Sequence, residues 1–178
     1  PADILERLGP LAPRREPGDE QRMSPAIDFF GHNSYTRAVV RDDPDSALTG
    51  AAVVDTRNPK TAMGWEIYPD HLYDALTRIT RDYGRPAIYI TENGASFDDV
   101  VRNGAVDDPQ RTEYLREHLA ACHRAIADGA DVRGYFYWSL LDNFEWLFGY
   151  GPQFGLVAVD RSTQRRRPKA SADWLGAI

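Results

Sequence analysis

The sequence predicts an α/β fold built on parallel strands, a portion of a (β/α)8 barrel in which residues 1–178 form a single partial domain. Three observations lead there. Helical and strand-like patterns alternate along the chain, the helix-to-strand connections are short, and the strand-to-helix connections are long. Alternation with short returns implies parallel strands joined by right-handed crossovers. Long strand-to-helix loops are the ones that build the active site of such a barrel. Only three strands are legible, too few to close a barrel of eight.

Residues 1–9 read as a short helix with Ile4, Leu5 and Leu8 on one side, ended by Gly9-Pro10. Residues 10–25 are rich in Pro, Gly and charge and read as loop. Ala26-Ile27-Asp28-Phe29-Phe30-Gly31 is a short apolar run between turn signals, hence a strand. Residues 37–64 are polar, broken by Asp-Pro, Thr-Gly and Asn-Pro, and show no period; loops of that length are usually functional. Pro69 opens a helix whose buried stripe is Leu72, Leu76, Ile79 and Tyr83, closed by Gly84. Pro86 introduces a strand over residues 87–91. After a loop to residue 107, Asp108 caps a helix that starts at Pro109, with a stripe of Leu115, Leu119, Cys122 and Ile126 and an end at Gly129. Residues 132–138 form the third strand. An aromatic-rich loop follows, and residues 169–175 begin a last helix. No internal repeat points to a solenoid.

Composition excludes several function classes. A formal net charge of −6 argues against a non-specific nucleic-acid binder, which needs a basic surface. The basic run Arg165-Arg166-Arg167 with Lys169 reads as a solvated loop. A single cysteine, Cys122, rules out an intrachain disulfide framework and fits a reducing compartment, so a cytoplasmic location is expected. No stretch approaches the roughly 20 apolar residues of a membrane span, and none reads as a signal peptide. The chain begins with Pro1 rather than Met, which suggests that an upstream part was removed or belongs to another polypeptide. His118 and Cys122 stand four apart on a helix, but Cys122 lies on the buried stripe and no third ligand is evident. No metal and no cofactor are expected.

The chemistry sits at the strand ends. After the first strand come His32, Asn33, Ser34 and Tyr35; after the second, Glu92, Asn93 and Gly94; after the third, Trp138, Ser139, Asp142, Asn143, Glu145 and Trp146. All three sets face one mouth of the barrel. Carboxylates, amides, a phenol and indoles around one cavity suit a sugar: flat apolar faces for C–H surfaces, acceptors for hydroxyls.

Tyr89-Ile90-Thr91-Glu92-Asn93-Gly94 resembles the nucleophile signature of glycoside hydrolase family 1, the β-glucosidase family. Gly134-Tyr135-Phe136-Tyr137-Trp138-Ser139-Leu140-Leu141-Asp142-Asn143-Phe144-Glu145-Trp146 is similar to that family's last barrel strand and following loop, and Asp28-Phe29-Phe30-Gly31-His32-Asn33-Ser34-Tyr35-Thr36 to its sixth strand. Met63-Gly64-Trp65-Glu66-Ile67-Tyr68-Pro69 and Phe154-Gly155-Leu156-Val157-Ala158-Val159-Asp160 are further matches in the family's order. The resemblance implies the C-terminal portion of a (β/α)8 TIM barrel, about strands 6–8 and their helices. It implies a retaining β-glucosidase acting on terminal β-D-glucosyl residues, with β-galactosyl or β-fucosyl residues as further candidates.

By that resemblance Glu92 is the nucleophile and the Tyr35 phenol donates a hydrogen bond to it. Glu145 and Trp146 contact the hydroxyls of the non-reducing sugar, Trp138 lies under its ring, Asn33 and Phe154 line the pocket, and Trp65 stands on the aglycone side. Ser34, His32 and Gln153 depart from the family pattern, which bears on pocket detail. The phosphoglycosidase branch has serine at the Glu145 position and a lysine-containing phosphate clamp; neither is seen, so an unphosphorylated sugar is implied. The family's acid/base lies in a Thr-Asn-Glu-Pro-like motif that this sequence does not contain. The chain alone is therefore expected to be inactive unless complemented by the N-terminal portion of the same enzyme. The expected partners are that portion and a β-glucoside or oligosaccharide, with no nucleic acid and no membrane. The alternative is a non-catalytic sugar-binding or structural half-barrel module.

Overall fold

A computed structural model describes residues 2–46 and 49–178. Pro1, the first residue of the expected N-terminal helix, and Ala47-Leu48, inside the expected long loop, lie outside them. In chain order the elements are α1 (Ala2–Leu8), α2 (Asp19–Met23), β1 (Phe30–Asn33), β2 (Val40–Asp42), β3 (Ala51–Val53), α3 (Asp70–Asp82), β4 (Ile88–Asn93), β5 (Val101–Arg102), β6 (Ala105–Val106), α4 (Pro109–Ala127), β7 (Val132–Tyr137), β8 (Val157–Val159), β9 (Arg166–Pro168) and α5 (Ala170–Gly176). They fall into two compact units: the residues up to Ile27 with Ala38–Arg57, and Asp28–Arg37 with Asn58–Ile178.

In the first unit, α1 half-buries Ile4, Leu5 and Leu8, the stripe read from the sequence. Two expected loops carry structure instead. α2 lies inside the Pro- and Gly-rich stretch, where the Asp19 carboxylate accepts bonds from Glu16 N and Arg22 at 2.7 Å each. β2 and β3 pair antiparallel, Val40 opposite Val53 and Asp42 opposite Ala51. Their three-residue strands are exposed or half-buried throughout, so no alternation marks them.

The second unit is built on a parallel sheet of order β1-β4-β7. The first strand starts later than expected, at Phe30, because pairing begins only where β4 offers a partner: Phe30 N bonds Ala87 O at 2.7 Å and Phe30 stands opposite Ile88. Ile27 and Phe29, expected within the strand, are exposed. α3 and α4 cover one face of the sheet, burying Leu72, Leu76, Ile79, Ile88, Ile90, Cys122, Ala125 and Ala130 in one cluster. Tyr83, expected as the last stripe residue of α3, caps the helix and is exposed. On α4 the buried face is Arg111, Tyr114, Leu115, His118, Ala121, Cys122 and Ala125; Ile126 is exposed and Leu119 half-buried. The aliphatic stripe read from the sequence is therefore turned from the true one.

Asp108 stands at the N-cap of α4, yet makes no side-chain cap bond there. Its carboxylate binds Arg111, and it accepts Ser171 N at 2.8 Å and Ser171 Oγ at 2.6 Å. The loops after β4 and β7 hold the short hairpins β5–β6 and β8–β9. Among the described residues no helix is long and apolar enough to cross a membrane, and no group of three His, Cys, Asp or Glu is placed to hold a metal ion.

Behind the sheet lie two buried histidines. His71 Nδ1 meets Ser34 Oγ at 3.2 Å, and His118 Nδ1 donates to Tyr114 O at 2.7 Å, with the two rings 5.4 Å apart. Neither Nε2 has a hydrogen-bond partner among the described residues. Burial pushes His71 down to about 4; His32 and Arg37 act in the same direction and Glu66 against them. Burial pushes His118 down to about 3, against the Tyr114 carbonyl, which favours the proton. The unfolded chain titrates both near 6.5, so below that pH it binds more protons than the folded one. Stability is expected to be level above pH ~6.5 and to fall as the pH drops toward 4, each histidine contributing at most about 1.4 kcal/mol per pH unit. Urea-unfolding midpoints measured from pH 8 to 4 check this; a flat profile contradicts it.

Candidate active site

The C-terminal ends of β1, β4 and β7 bring the site together. Ser34 N bonds Glu92 O at 2.8 Å and Trp138 N bonds Asn93 O at 2.9 Å, so the residues that follow each strand emerge side by side. Gly94 follows β4 where the backbone of Trp138 crosses it: a Cβ there would stand 1.9 Å from the Trp138 carbonyl oxygen. Only glycine allows that approach. Asn93, fully buried, donates to Ser34 O at 2.7 Å and to Tyr114 Oη at 3.1 Å and accepts from Tyr135 Oη at 2.5 Å. Its amide locks the strand end beside Glu92.

Tyr35 Oη donates to Glu92 Oε2 at 2.6 Å. Burial, then the bond to Glu92, pushes the Tyr35 phenol far above its ordinary value. The phenol therefore keeps its proton and acts as a donor to the carboxylate. The Tyr35 ring lies 5.3 Å from Trp65, and Trp65 lies 6.0 Å from Phe154, giving one aromatic wall. This wall is anchored from behind: Thr36 Oγ1 donates to Glu66 O at 2.9 Å, and the Arg37 guanidinium bonds buried Glu66 at 2.9 Å while stacking 3.4 Å over Tyr68.

A cavity of about 280 Å³ is lined by Tyr35, Trp65, Glu92, Trp138, Glu145, Trp146 and Phe154. Seven of the eight residues singled out in the sequence thus share one space. Asn33 does not: it is exposed at the end of β1, opposite Glu92 in the ladder, and its Oδ1 accepts from Thr91 Oγ1 at 2.6 Å. Phe154 is almost wholly buried, whereas Trp146 is 81% exposed.

The cavity's far wall rests on a buried ion network that the sequence did not reveal. Lys169 Nζ bonds Asp99 Oδ2 at 2.5 Å and Asp142 Oδ1 at 2.9 Å. Arg111 bonds Asp99 at 2.8 Å and Gln153 O at 2.6 Å. Asp142 Oδ1 also accepts Gly155 N at 2.8 Å. These bonds clamp the segments on both sides of Phe154. Lys169, read as part of a solvated basic run, is fully buried.

Parallel strands joined through helices, with acidic and aromatic side chains gathered at their carboxyl ends, define a portion of a (β/α)8 barrel. The chain belongs to glycosyl hydrolase family 1, whose sequence profile matches residues 5–178. β-Glucosidase A of Thermotoga maritima is 45% identical over the whole chain, and 1,4-β-D-glucan glucohydrolase of Thermotoga neapolitana 46% over 98% of it. The bifunctional β-D-glucosidase/β-D-fucosidase of Bifidobacterium breve is 44% identical over 88%. The solved family 1 β-glucosidase of Thermotoga maritima superposes over the whole chain with a TM-score of 0.92 at 44% identity; the same enzyme has been solved with deoxynojirimycin. The chain spans about two fifths of the length of these relatives, 38–40% of each.

Proposed function

We propose that this chain is the C-terminal part of a retaining β-glucosidase and carries its nucleophile, Glu92. The observation that carries the reading is the Glu92 carboxylate, held by the Tyr35 phenol at 2.6 Å, inside a cavity shared with Trp138, Trp146 and Glu145. In this reading Glu92 attacks the anomeric carbon and the leaving oxygen departs with a proton. The resulting glycosyl-enzyme is then released by water, which regenerates the carboxylate. Tyr35 fixes the attacking oxygen. Trp138 presents its apolar face to the sugar ring, and Glu145 and Trp146 meet its hydroxyls, the carboxylate in charge-assisted bonds. Trp65 and Phe154 form the wall toward the leaving group. The relatives named for glucosidase and fucosidase activity support a terminal β-glucosyl substrate with tolerance for a β-fucosyl one.

A second carboxyl group about 5–5.5 Å away must protonate the leaving oxygen. It comes, in this reading, from the N-terminal portion of the same enzyme, the chain's expected partner. The open edges of the sheet at β1 and β7 support that pairing, as do Phe29 and Phe136, each more than half exposed. Purified residues 1–178 are expected to leave an aryl β-glucoside unhydrolysed until the upstream portion is added. Enzyme-like turnover by the chain alone sinks the reading, as does no turnover by the complemented pair.

Tyr35→Phe removes one hydrogen bond to a charged group, worth about 1.5–3 kcal/mol. In the complemented enzyme kcat is expected to fall roughly 10- to 100-fold. A kcat within twofold of the parent contradicts the role given to the phenol.

A further inference from the structure

We propose that Asn143 is a positioning residue that turns the Glu145 carboxylate toward the sugar and so sets discrimination between epimeric substrates; this rests on the β-glucosidase reading above. Asn143 Nδ2 donates to Glu145 Oε2 at 2.8 Å. The acceptor-only carboxylate of Glu145 selects the NH2 face of that amide, which leaves Asn143 Oδ1 3.1 Å from Ser139 Oγ, a hydroxyl shared with Leu141 O at 2.7 Å. Ser139 is tied into the cavity wall by its backbone: its N donates to Phe154 O at 3.4 Å and its O accepts Leu156 N at 2.9 Å.

The backbone of Glu145 is held separately, its N donating to Gly149 O at 2.6 Å and its O accepting Phe148 N at 2.8 Å. That turn fixes where the side chain starts and leaves the carboxylate free to rotate. No other side-chain hydrogen bond to Glu145 is present among the described residues. Asn143 is therefore what stops the rotation. It occupies one carboxylate oxygen and leaves the other to the cavity that Glu145 lines with Glu92 and Trp146. Two epimers differ only in where one hydroxyl points. An acceptor fixed in place distinguishes them, and one that swings to meet either hydroxyl does not.

The test is a double-mutant cycle in the complemented enzyme, with kcat/KM measured on an aryl β-glucoside and the matching aryl β-galactoside. Asn143→Ala is expected to lower kcat/KM on the preferred epimer ~10-fold and to narrow the ratio between the two. In a Glu145→Ala background the same substitution is expected to cost less than about twofold, because the side chain it orients is gone. Asn143→Asp keeps the shape of the side chain but sets a second carboxylate against Glu145, so a larger loss is expected, and it serves where the alanine variant folds poorly. Equal losses with and without the Glu145 carboxylate, or an unchanged epimer ratio, overturn the proposal. A parent enzyme that hydrolyses neither glycoside takes down the β-glucosidase reading, and this one with it.

Discussion

Glu92→Gln is expected to lower kcat of the complemented enzyme by on the order of 10⁴- to 10⁶-fold, the scale of losing a covalent nucleophile. The amide has almost the shape of the carboxylate and still accepts from Tyr35 through its oxygen, so packing around β4 is unchanged. What disappears is the negative charge that bonds to the anomeric carbon. The thermal midpoint of the variant is expected within a few degrees of the parent's, since Glu92 is half-buried and its substitution empties no core. Activity within about tenfold of the parent contradicts the assignment.

The second large effect is on stability. Lys169→Met is expected to destabilise the chain by about 3–5 kcal/mol, the cost of removing one partner from a buried ion pair. The Lys169 ammonium, fully buried, faces both Asp99 and Asp142. Methionine fills similar space but leaves Asp142 without a cation and Asp99 with Arg111 alone. Because Asp142 also accepts Gly155 N and lies next to Asn143, the loss loosens the wall that carries Phe154 and Glu145. Urea-unfolding midpoints of the two proteins read the effect, and indistinguishable midpoints contradict it.

The parts of the fold that the sequence revealed are those where one physical signal dominates. Leu72, Leu76 and Ile79 on α3 are aliphatic, correctly spaced and buried. Glu92 is the last residue but one of β4 and Trp138 follows the end of β7, where Asn93-Gly94 and Ser139 mark the strand ends. The misses have the opposite character. α4 buries a guanidinium, a phenol and an imidazole, at Arg111, Tyr114 and His118, so a search for aliphatic periodicity finds the wrong face. The hairpin strands are two or three residues long, too short for a period of two to show. Lys169 is charged, and its burial follows from carboxylates at residues 99 and 142, which no local pattern relates to it. At the site, the sequence placed Asn143 past the third strand but gave it no role, because its contact is with another side chain rather than with the cavity.

The most direct measurement is the mass of this chain after the complemented enzyme is treated with a 2-deoxy-2-fluoro-β-glucoside bearing a good leaving group, which slows release of the covalent intermediate. A single 2-fluoroglucosyl adduct on the peptide carrying Glu92, absent from the Glu92→Gln protein, is the predicted result. Turnover of ordinary substrate with no adduct, or an adduct on any other residue, contradicts the account.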